Sequence, residues 1–600
     1  MHPNKFGHGT QRQLRFLSNV ALAQNLRQIQ LRWCVLLGVL LLMALTGCSS
    51  GGGSAPSGTQ VAASVTVPSA PTNIIATSGD GRVSLNFTNA ADGGSPITAY
   101  IASCNSSSGT VSASGAAAPL LITGLVNGTP YSCTIQAKNA AGTGVASAAI
   151  SVTPQISSAF DGSVVLGAPT TNTVRMKLFS ATQSGSVIVA FGATSQAYSQ
   201  QLHATNLTAG TPVELTLDGL KADTQYFYRL QITTSVGTIN SPEASFHTAR
   251  PTGSTFTFTV QADSHLDENS DLNIYRRTLA NVVADKPDFH IDLGDTFMTE
   301  KYSVPLTANS QRAADSAAVD TRYIYERGNF GLLNGTPLFL ANGNHDGELG
   351  WLNNGTQNSI AIWTTAARKK FFSPAYPDSF YSGDSVVEPF VGQRGSWYSW
   401  TWGDALFVVL DPYWASTASS GWGLTLGDRQ YRWLAQTLAD STANFKFVFL
   451  HSLVGGLDGA MRGGVEAAPY FEWGGKSLDG TYDFPTRRPG WSMPIHQLLV
   501  KNHVTAVFHG HDHVYVHQTL DGIHYQETPQ PSAINSQSGA SLAASYHYAS
   551  GTIQSSSGHL RVTVSPKQVK VDYVRAWLPS AETAQRKNGQ IDDSWTVSAP

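Results

Sequence analysis

Charge is scarce in this sequence. Only 13% of its 600 residues are Asp, Glu, Lys or Arg, and the formal net charge is −3. No run of Lys or Arg stands out, so the electrostatic footprint of a nucleic-acid partner is missing and none is expected. Cysteine is scarcer still, with four in all. Long apolar runs are lacking too: Trp33 to Leu45 is too short to span a bilayer comfortably. Glycine, by contrast, is plentiful at 56 residues, which points to many turns and short strands, as in all-β modules. Six hundred residues exceed a single hydrophobic core, so three or four folded units are expected.

The first 47 residues hold five basic side chains (Lys5, Arg12, Arg15, Arg27, Arg32) and no acidic one. The run from Trp33 then has the length of a signal-peptide h-region. It ends Leu45-Thr46-Gly47-Cys48, which resembles the bacterial lipobox. The resemblance implies that residues 1–47 are a lipoprotein signal peptide. Cys48 would be lipidated, and the chain exported and held to a membrane by that lipid. Ser49 follows Cys48 instead of Asp, which favours the outer membrane where the host has one. An ordinary signal peptide cut nearby is the alternative. Removing the segment would take the net charge from −3 to −8. Residues 48–69, rich in Gly and Ser, read as a flexible linker.

Residues 70–155 and 156–250 alternate short β-rich runs with turn residues. Val83 to Phe87 has period two, and Ile97 to Cys104, Tyr131 to Lys138, Ser186 to Phe191 and Tyr226 to Ile232 are further strands. A signature recurs: Leu125 precedes Tyr131, and Leu220 precedes Tyr226, by the same six positions. A Tyr so placed can pin the corner of a sandwich through its hydroxyl. The first segment resembles a fibronectin type III module. The second resembles that family too, and also the N-terminal sandwich of purple acid phosphatases. In the first, the resemblance implies that Cys104 and Cys133 lie on neighbouring strands of one sheet. Export would favour a disulfide between them, against two buried thiols.

From residue 251 to 600 the pattern changes. Phe256 to Ala262, Phe289 to Leu293, Pro337 to Ala341, Ala405 to Leu410, Phe445 to Leu450 and Val504 to Phe508 are apolar runs of buried-strand type. Leu272 to Ala284, Gln430 to Leu438 and Pro494 to Lys501 have helical spacing, and Leu560 to Val574 reads as closing strands. Ser532 to Ser557 reads as a loop. Strands alternating with helices indicate an α/β unit. Five of the strands run straight into metal-ligand residues: Asp263-Ser264-His265, Gly294-Asp295, Gly343-Asn344-His345-Asp346, His451, and Gly510-His511-Asp512-His513. Ligands on loops at carboxyl ends of strands converge on one crevice of an open α/β sheet. Gly294, Gly343, Gly347 and Gly510 allow the turns that aim them.

Each cluster alone is weak, but the ordered set resembles the calcineurin-like metallophosphoesterase superfamily over about Phe256 to His517. The resemblance implies a multidomain chain. Two fibronectin III-like β-sandwiches would precede an α/β metallophosphoesterase domain of layered β-sheets flanked by helices. It further implies two divalent metal ions. Asp263, His265 and His513 would hold the first; Asn344, His451 and His511 the second; Asp295 would bridge both. His345 would act as general acid, with Asp346 either orienting its ring or standing as a solvated turn residue. Imidazole and carboxylate suit Zn, Fe, Mn or Ni, and no thiolate demands a softer ion. Two such ions can clamp an in-line displacement at phosphorus and activate a water between them. An imidazole is suited to protonating a leaving oxygen near neutral pH. Where purple acid phosphatases carry a Tyr, three residues after the bridging Asp, this chain has Met298, so the first metal should lack a tyrosinate.

Arg394, Tyr398, Trp400, Tyr413 and Trp422 are candidates to wall the pocket, with loop packing as the alternative. Arg487 and Arg488 would meet a phosphate or lie as surface charge. His290 and His509 belong to buried strands. The expected activity is hydrolysis of a small-molecule phosphate monoester. A phosphodiesterase or nucleotidase is the alternative within the class, and a non-catalytic surface-binding lipoprotein the alternative outside it.

Overall fold

The structure, a computed structural model, describes residues 65–600 except 80, 108, 156–159, 235–236, 268, 302–310 and 535–537. Residues 1–47, read as a signal peptide, with Cys34 among them, then Cys48 and most of the stretch read as a linker, lie outside the described residues. No helix among the described residues is long and apolar enough to cross a membrane.

Residues 72–152 form antiparallel strands in two sheets. Thr72–Gly79, Arg82–Thr88 and Leu120–Thr123 make one, and Ala99–Ser106 and Tyr131–Asn139 are neighbours in the other. Strict alternation sets which side chains go inside: Tyr131, Cys133 and Ile135 are buried while Ser132 is exposed. Cys104 and Cys133 stand on the neighbouring strands and form a disulfide, with Cα atoms 4.0 Å apart. Residues 163–247 repeat the architecture around a core that includes Val189, Leu230 and Tyr228. The recurring tyrosines do the same job in both. Tyr131 Oη accepts from the Val126 amide at 3.1 Å, and Tyr226 Oη accepts from the Lys221 amide at 3.0 Å.

The remainder is built from two sheets packed face to face. We label its strands β1 (Phe256–Gln261), β2 (Phe289–Asp292), β3 (Leu338–Leu340), β4 (Tyr398–Trp402), β5 (Ala405–Val409), β6 (Phe445–Phe449), β7 (Ala506–His509), β8 (Tyr515–Leu520), β9 (Ile523–Glu527), β10 (Gly558–Val564), β11 (Gln568–Arg575) and β12 (Ile591–Ser598). Its longer helices are α1 (Leu272–Ala284), α2 (Ser316–Phe330), α3 (Ile360–Phe371), α4 (Gly427–Asp440) and α5 (Ile495–Lys501). One sheet has the order β3-β2-β1-β10-β11-β12. The other runs from Ser382–Gly383 through β4-β5-β6-β7-β9-β8 to Thr552–Gln554. β1, β2 and β3 are mutually parallel, as are β5, β6 and β7.

Period two in β6 explains the layering. Phe445, Phe447 and Phe449 enter the inter-sheet core with Phe258, Phe289 and Phe407, while Val448 points to the helix layer with Leu434, Leu438 and Leu499. Lys446, on the helix side, is buried only because its Nζ donates to the carbonyls of Leu438 and Asn502 at 3.2 and 3.0 Å. Helices α1, α2 and α3 cover the first sheet with Leu279, Val319 and Phe371. The segment read as a loop over Ser532–Ser557 instead contains a helix, Gly539–Ser545, and the edge strand Thr552–Gln554. Ala543 packs there against Val514, Val516 and Tyr548, giving a small-residue segment a hydrophobic anchor.

Candidate metal centre

Every candidate ligand stands on a loop just past a strand. Asp263 and His265 follow β1, Asp295 follows β2, Asn344 follows β3, His451 follows β6, and His511 and His513 follow β7. Since β1–β3 and β5–β7 run parallel within their sheets, these loops gather at one end. Tight backbone contact brings them closer. A Cβ on Gly343 would sit 2.1 Å from the Asp295 amide nitrogen, and one on Gly510 would sit 2.6 Å from Asp263 Oδ2. At both positions glycine is required for close approach.

The seven side chains meet. His451 Nε2 lies 3.2 Å from Asp295 Oδ2, 3.0 Å from Asn344 Oδ1 and 3.2 Å from His511 Nδ1. His265 Nε2 is 3.7 Å from both Asp263 Oδ1 and Asp295 Oδ2, and His513 Nε2 is 3.5 Å from Asp263 Oδ1. Two metal-competent groups result, Asp263–His265–His513 and Asp295–His451–His511, each with its ligand atoms within 4.8 Å of one another. Five of these residues hold left-handed backbone: Asp263 (φ 62°), His265 (51°), Asp295 (53°), His511 (84°) and His513 (58°). Such conformations cost roughly 1–3 kcal/mol each for non-glycine residues, and they cluster where side chains must be aimed. Backbone bonds from the Asp263 and His265 amides to the Gly294 and Asp295 carbonyls, at 2.9 and 3.2 Å, help offset the cost.

An outer layer orients the rings. His451 Nδ1 faces the Leu293 carbonyl at 3.1 Å, His511 Nε2 the Ala460 carbonyl at 2.5 Å, and His265 Nδ1 the Asp267 carboxylate at 3.2 Å. In each ring the outward nitrogen has an acceptor, so the lone pair on the other nitrogen points into the cluster. Asp263 Oδ2 accepts from the His511 amide at 2.8 Å, and Asp295 Oδ1 from the His345 amide at 2.7 Å.

The donor set fits cations. Asp263 Oδ1 and His265 Nε2 are buried without a hydrogen-bond partner, and both face the interior of the cluster. Burial opposes ionisation of Asp263 and Asp295, but the imidazoles around them hold both carboxyls far below their usual range. Burial likewise opposes protonation of His451 and His265. Asp295 and Asp263 nonetheless lift His451 to about 9, and Asp263, Asp267 and Asp295 lift His265 well above its ordinary value. The carboxylates thus draw positive charge to this spot, and nitrogen- and oxygen-coordinated divalent metals would supply it.

His345 lies at the rim, its side chain 26% exposed and its ring centroid 6.2 Å from that of His265. Asp346 does not orient this ring. Its Oδ1 accepts from the amides of Thr296, Phe297 and Met298, and its Oδ2 from those of Asp295 and Gly343, all between 2.7 and 3.3 Å. Five converging N–H groups capture the carboxylate, so Asp346 clamps the Asp295 loop to the Asn344 loop and is neither solvated nor paired with His345. The ring is held by Glu300, whose Oε2 is 3.0 Å from His345 Nδ1. Burial would raise the Glu300 carboxyl, but His345 and Arg312 keep it below its ordinary range.

Glu300, Asp267 and Arg462 were not legible as site residues. Asp267 and Glu300 offered only their nearness to Asp-x-His and Gly-Asp, and Arg462 gave no signal. Arg462 donates from one NH group to the His511 carbonyl at 2.7 Å and to Asp512 Oδ1 at 3.0 Å, and its guanidinium lies 4.1 Å over Tyr546. Of the two roles weighed for Arg394, Tyr398, Trp400, Tyr413 and Trp422, walling the pocket or packing, the structure shows packing. Arg394 is buried between Glu348 and Asp411, Tyr398 and Trp400 fill the inter-sheet core, and Tyr413 donates to or accepts from Ser452 at 2.9 Å. Trp422 Nε1 donates to Ser477, Arg488 pairs with Glu472, and Arg487 is exposed. His509 pairs with Glu527 at 2.6 Å and His290 with Thr259 at 2.8 Å, both inside the core.

Residues 256–515 match the family model of the calcineurin-like phosphoesterases. Residues 69–153 match that of the fibronectin type III domain. Two solved structures share the fold of the phosphoesterase region. PhoD superposes with a TM-score of 0.53 at 16% identity, covering 73% of this chain and 90% of its own. Purple acid phosphatase PPD1 from yellow lupin (Lupinus luteus) seeds superposes at 0.52 and 15%, covering 87% and 95%. No curated protein matches the chain. The phosphoesterase match and the two donor groups together support a metal-dependent phosphoester hydrolase.

Proposed function

We propose that the chain is an exported hydrolase of phosphate monoesters working with two divalent cations. Asp263, His265 and His513 would hold one, and Asn344, His451 and His511 the other, with Asp295 between them. The observation that carries the reading is His451 Nε2 within 3.2 Å of Asp295 Oδ2 while His265 Nε2 approaches the same oxygen from the other group at 3.7 Å. When bound, the cations would supply Lewis-acid activation of water and neutralise charge on the phosphoryl oxygens.

The chain's own residues do the rest. The lone pairs of four imidazoles and the Asn344 amide oxygen define the geometry, and Asp346 keeps the two ligand loops in register. In the imidazolium form of His345, Glu300 accepts the Nδ1 proton, and the second proton, on Nε2, would pass to the departing alkoxide oxygen and leave a neutral imidazole. Lipid attachment at Cys48 would place this chemistry at a membrane surface facing away from the cytoplasm, and the Cys104–Cys133 disulfide is consistent with export.

Turnover of p-nitrophenyl phosphate against bis-p-nitrophenyl phosphate, with metal analysis of the same protein, tests the reading. The monoester should be the faster substrate. Asp295→Ala should lose both metals and nearly all turnover, while the Cys104–Cys133 module keeps its fold. Full activity in that variant would end the shared-carboxylate reading, and a faster diester would make the chain a phosphodiesterase.

A further inference from the structure

Helix α4 borders two clefts that the phosphoesterase chemistry does not use. A cleft of about 240 Å³ opens at its N-terminal end and one of about 590 Å³ at its C-terminal end, the latter in the roughly 300–1,000 Å³ range of small-molecule sites. Trp397 borders the first cleft and Trp433 the second. Their rings meet at 4.8 Å with planes tilted by 51°. Both are half-buried. The Trp433 Nε1 donates to Ser382 Oγ at 2.9 Å, which fixes the indole and satisfies its polar edge. Helix α4 buries Tyr431, Leu434 and Leu438 in the core and leaves Gln436 and Asp440 exposed on the same side as the second cleft.

The chemistry of the walls selects the occupant. Around the second cleft they offer hydroxyls and amides, among them Ser382, Thr401, Gln436, Thr437 and Asn444. No lysine lines either cleft. In the first, Asp384, Glu388, Asp411 and Asp428 face Arg394 and Arg429. Arg394 is already engaged by Glu348 and Asp411 at 2.6 and 2.9 Å. In the second, Asp404 and Asp440 face no cation. A polyanion would be repelled from such a surface. A polyol meets no such barrier. Its hydroxyls donate to carboxylates and accept from amides, its C–H faces lie against indole, and it carries no charge to desolvate.

We propose that these two clefts together bind an uncharged glycan chain, with Trp397 and Trp433, which touch each other between them, as the stacking platform. At 1.5 Å per residue the 14-residue helix is about 20 Å long, so a short run of sugar units reaches from one cleft to the other. The site is separate from the metal ligands, so it stands whether or not the monoesterase reading does.

Native gel electrophoresis of the full chain through gels containing dextran, galactomannan, xylan or glycol chitin reads the binding directly. At least one polysaccharide should retard the protein. Trp433→Ala should weaken retardation by about tenfold or more in apparent affinity. Gln436→Ala, a solvent-exposed change that leaves packing alone, should weaken it less. Both variants should keep parental turnover of p-nitrophenyl phosphate, and Gln436→Ala the parental thermal midpoint; Trp433→Ala should lower the midpoint, since it loses the Trp397 contact and the bond to Ser382. The proposal is overturned if none of the four polysaccharides retards the chain, or if both variants are retarded like the parent. Retention by polylysine without retention by any glycan would also overturn it, in favour of a basic peptide.

Discussion

Glu300 is the residue that, in the proposed reaction, would hold a rim histidine as a proton donor. Its carboxylate fixes His345 Nδ1, and Arg312 fixes the carboxylate at 3.0 Å. Glu300→Gln keeps the shape but weakens the hold on the ring. Turnover of an alkyl phosphate, whose leaving group needs a proton, should fall roughly 10–100-fold, while p-nitrophenyl phosphate is affected far less and metal content stays at the parental value. Equal losses on both esters, or loss of metal, would assign Glu300 a structural role. The seven candidate ligands could be singled out in the sequence because each lies within a few residues of the end of an apolar strand run, and the structure brings their side chains together. Glu300 could not, because its pairing with a residue 45 positions away depends on how two loops fold together. Asp346 was misread for a related reason: adjacency to His345 in sequence says nothing about which way an acceptor turns when five amides compete for it.

At the scale of elements, α2 and α3 were missed, as were β4, β8, β9 and β12, while β1–β3, β5–β7, β10 and β11 were read. The strands are apolar on their buried faces. The two helices bury Arg322, Glu326 and Arg327, and Thr364, Thr365 and Arg368, so no apolar stripe of helical period shows. Polar groups so placed must be paired. Glu348, just past the Asn344 loop, takes Arg368 from α3 in a two-point contact and Arg394 from the segment before β4 at 2.6 Å. Burial would raise this carboxyl, but the two guanidiniums hold it at about 2. An unfolded chain takes up its proton near the ordinary Glu value of about 4.3. The stabilisation is therefore complete above that pH and is lost as pH falls through about 2. Glu348→Gln should lower unfolding free energy at pH 7 by roughly 3–5 kcal/mol, since it leaves two buried cations short of charge, and should flatten the acid limb below pH ~4.3. Denaturant melts of both proteins at pH 7 and pH 3 check this. An unchanged midpoint at pH 7 would show that Asp411 alone neutralises the cluster.

For the whole molecule, the proposed lipidation of the lipobox-like Cys48 would set where the enzyme works. A Cys48→Ser chain expressed in a bacterial host should move from the membrane pellet to the soluble exported fraction with its turnover of p-nitrophenyl phosphate intact. Continued pelleting would remove the lipid from the account. The modular layout was legible because the Leu-to-Tyr spacing repeats and each Tyr does close a corner. The attachment of the second sandwich to the phosphoesterase was not legible, because it runs through backbone carbonyls that sequence does not mark. Arg327 of α2 is buried and donates to the carbonyls of Ser163, Lys177 and Phe371, and Arg175 donates to the Pro374 carbonyl at 3.0 Å. Phe179 stands edge-on to Phe371 at 5.7 Å, and the Tyr381 hydroxyl donates to the Pro169 carbonyl at 2.5 Å. A protein trimmed to begin at residue 251 would thus bare an aromatic flank and leave the Arg327 guanidinium with one of its three carbonyl acceptors, that of Phe371. The sandwich of residues 163–247 serves as the keel of the hydrolase, and the smallest seaworthy fragment has to include it.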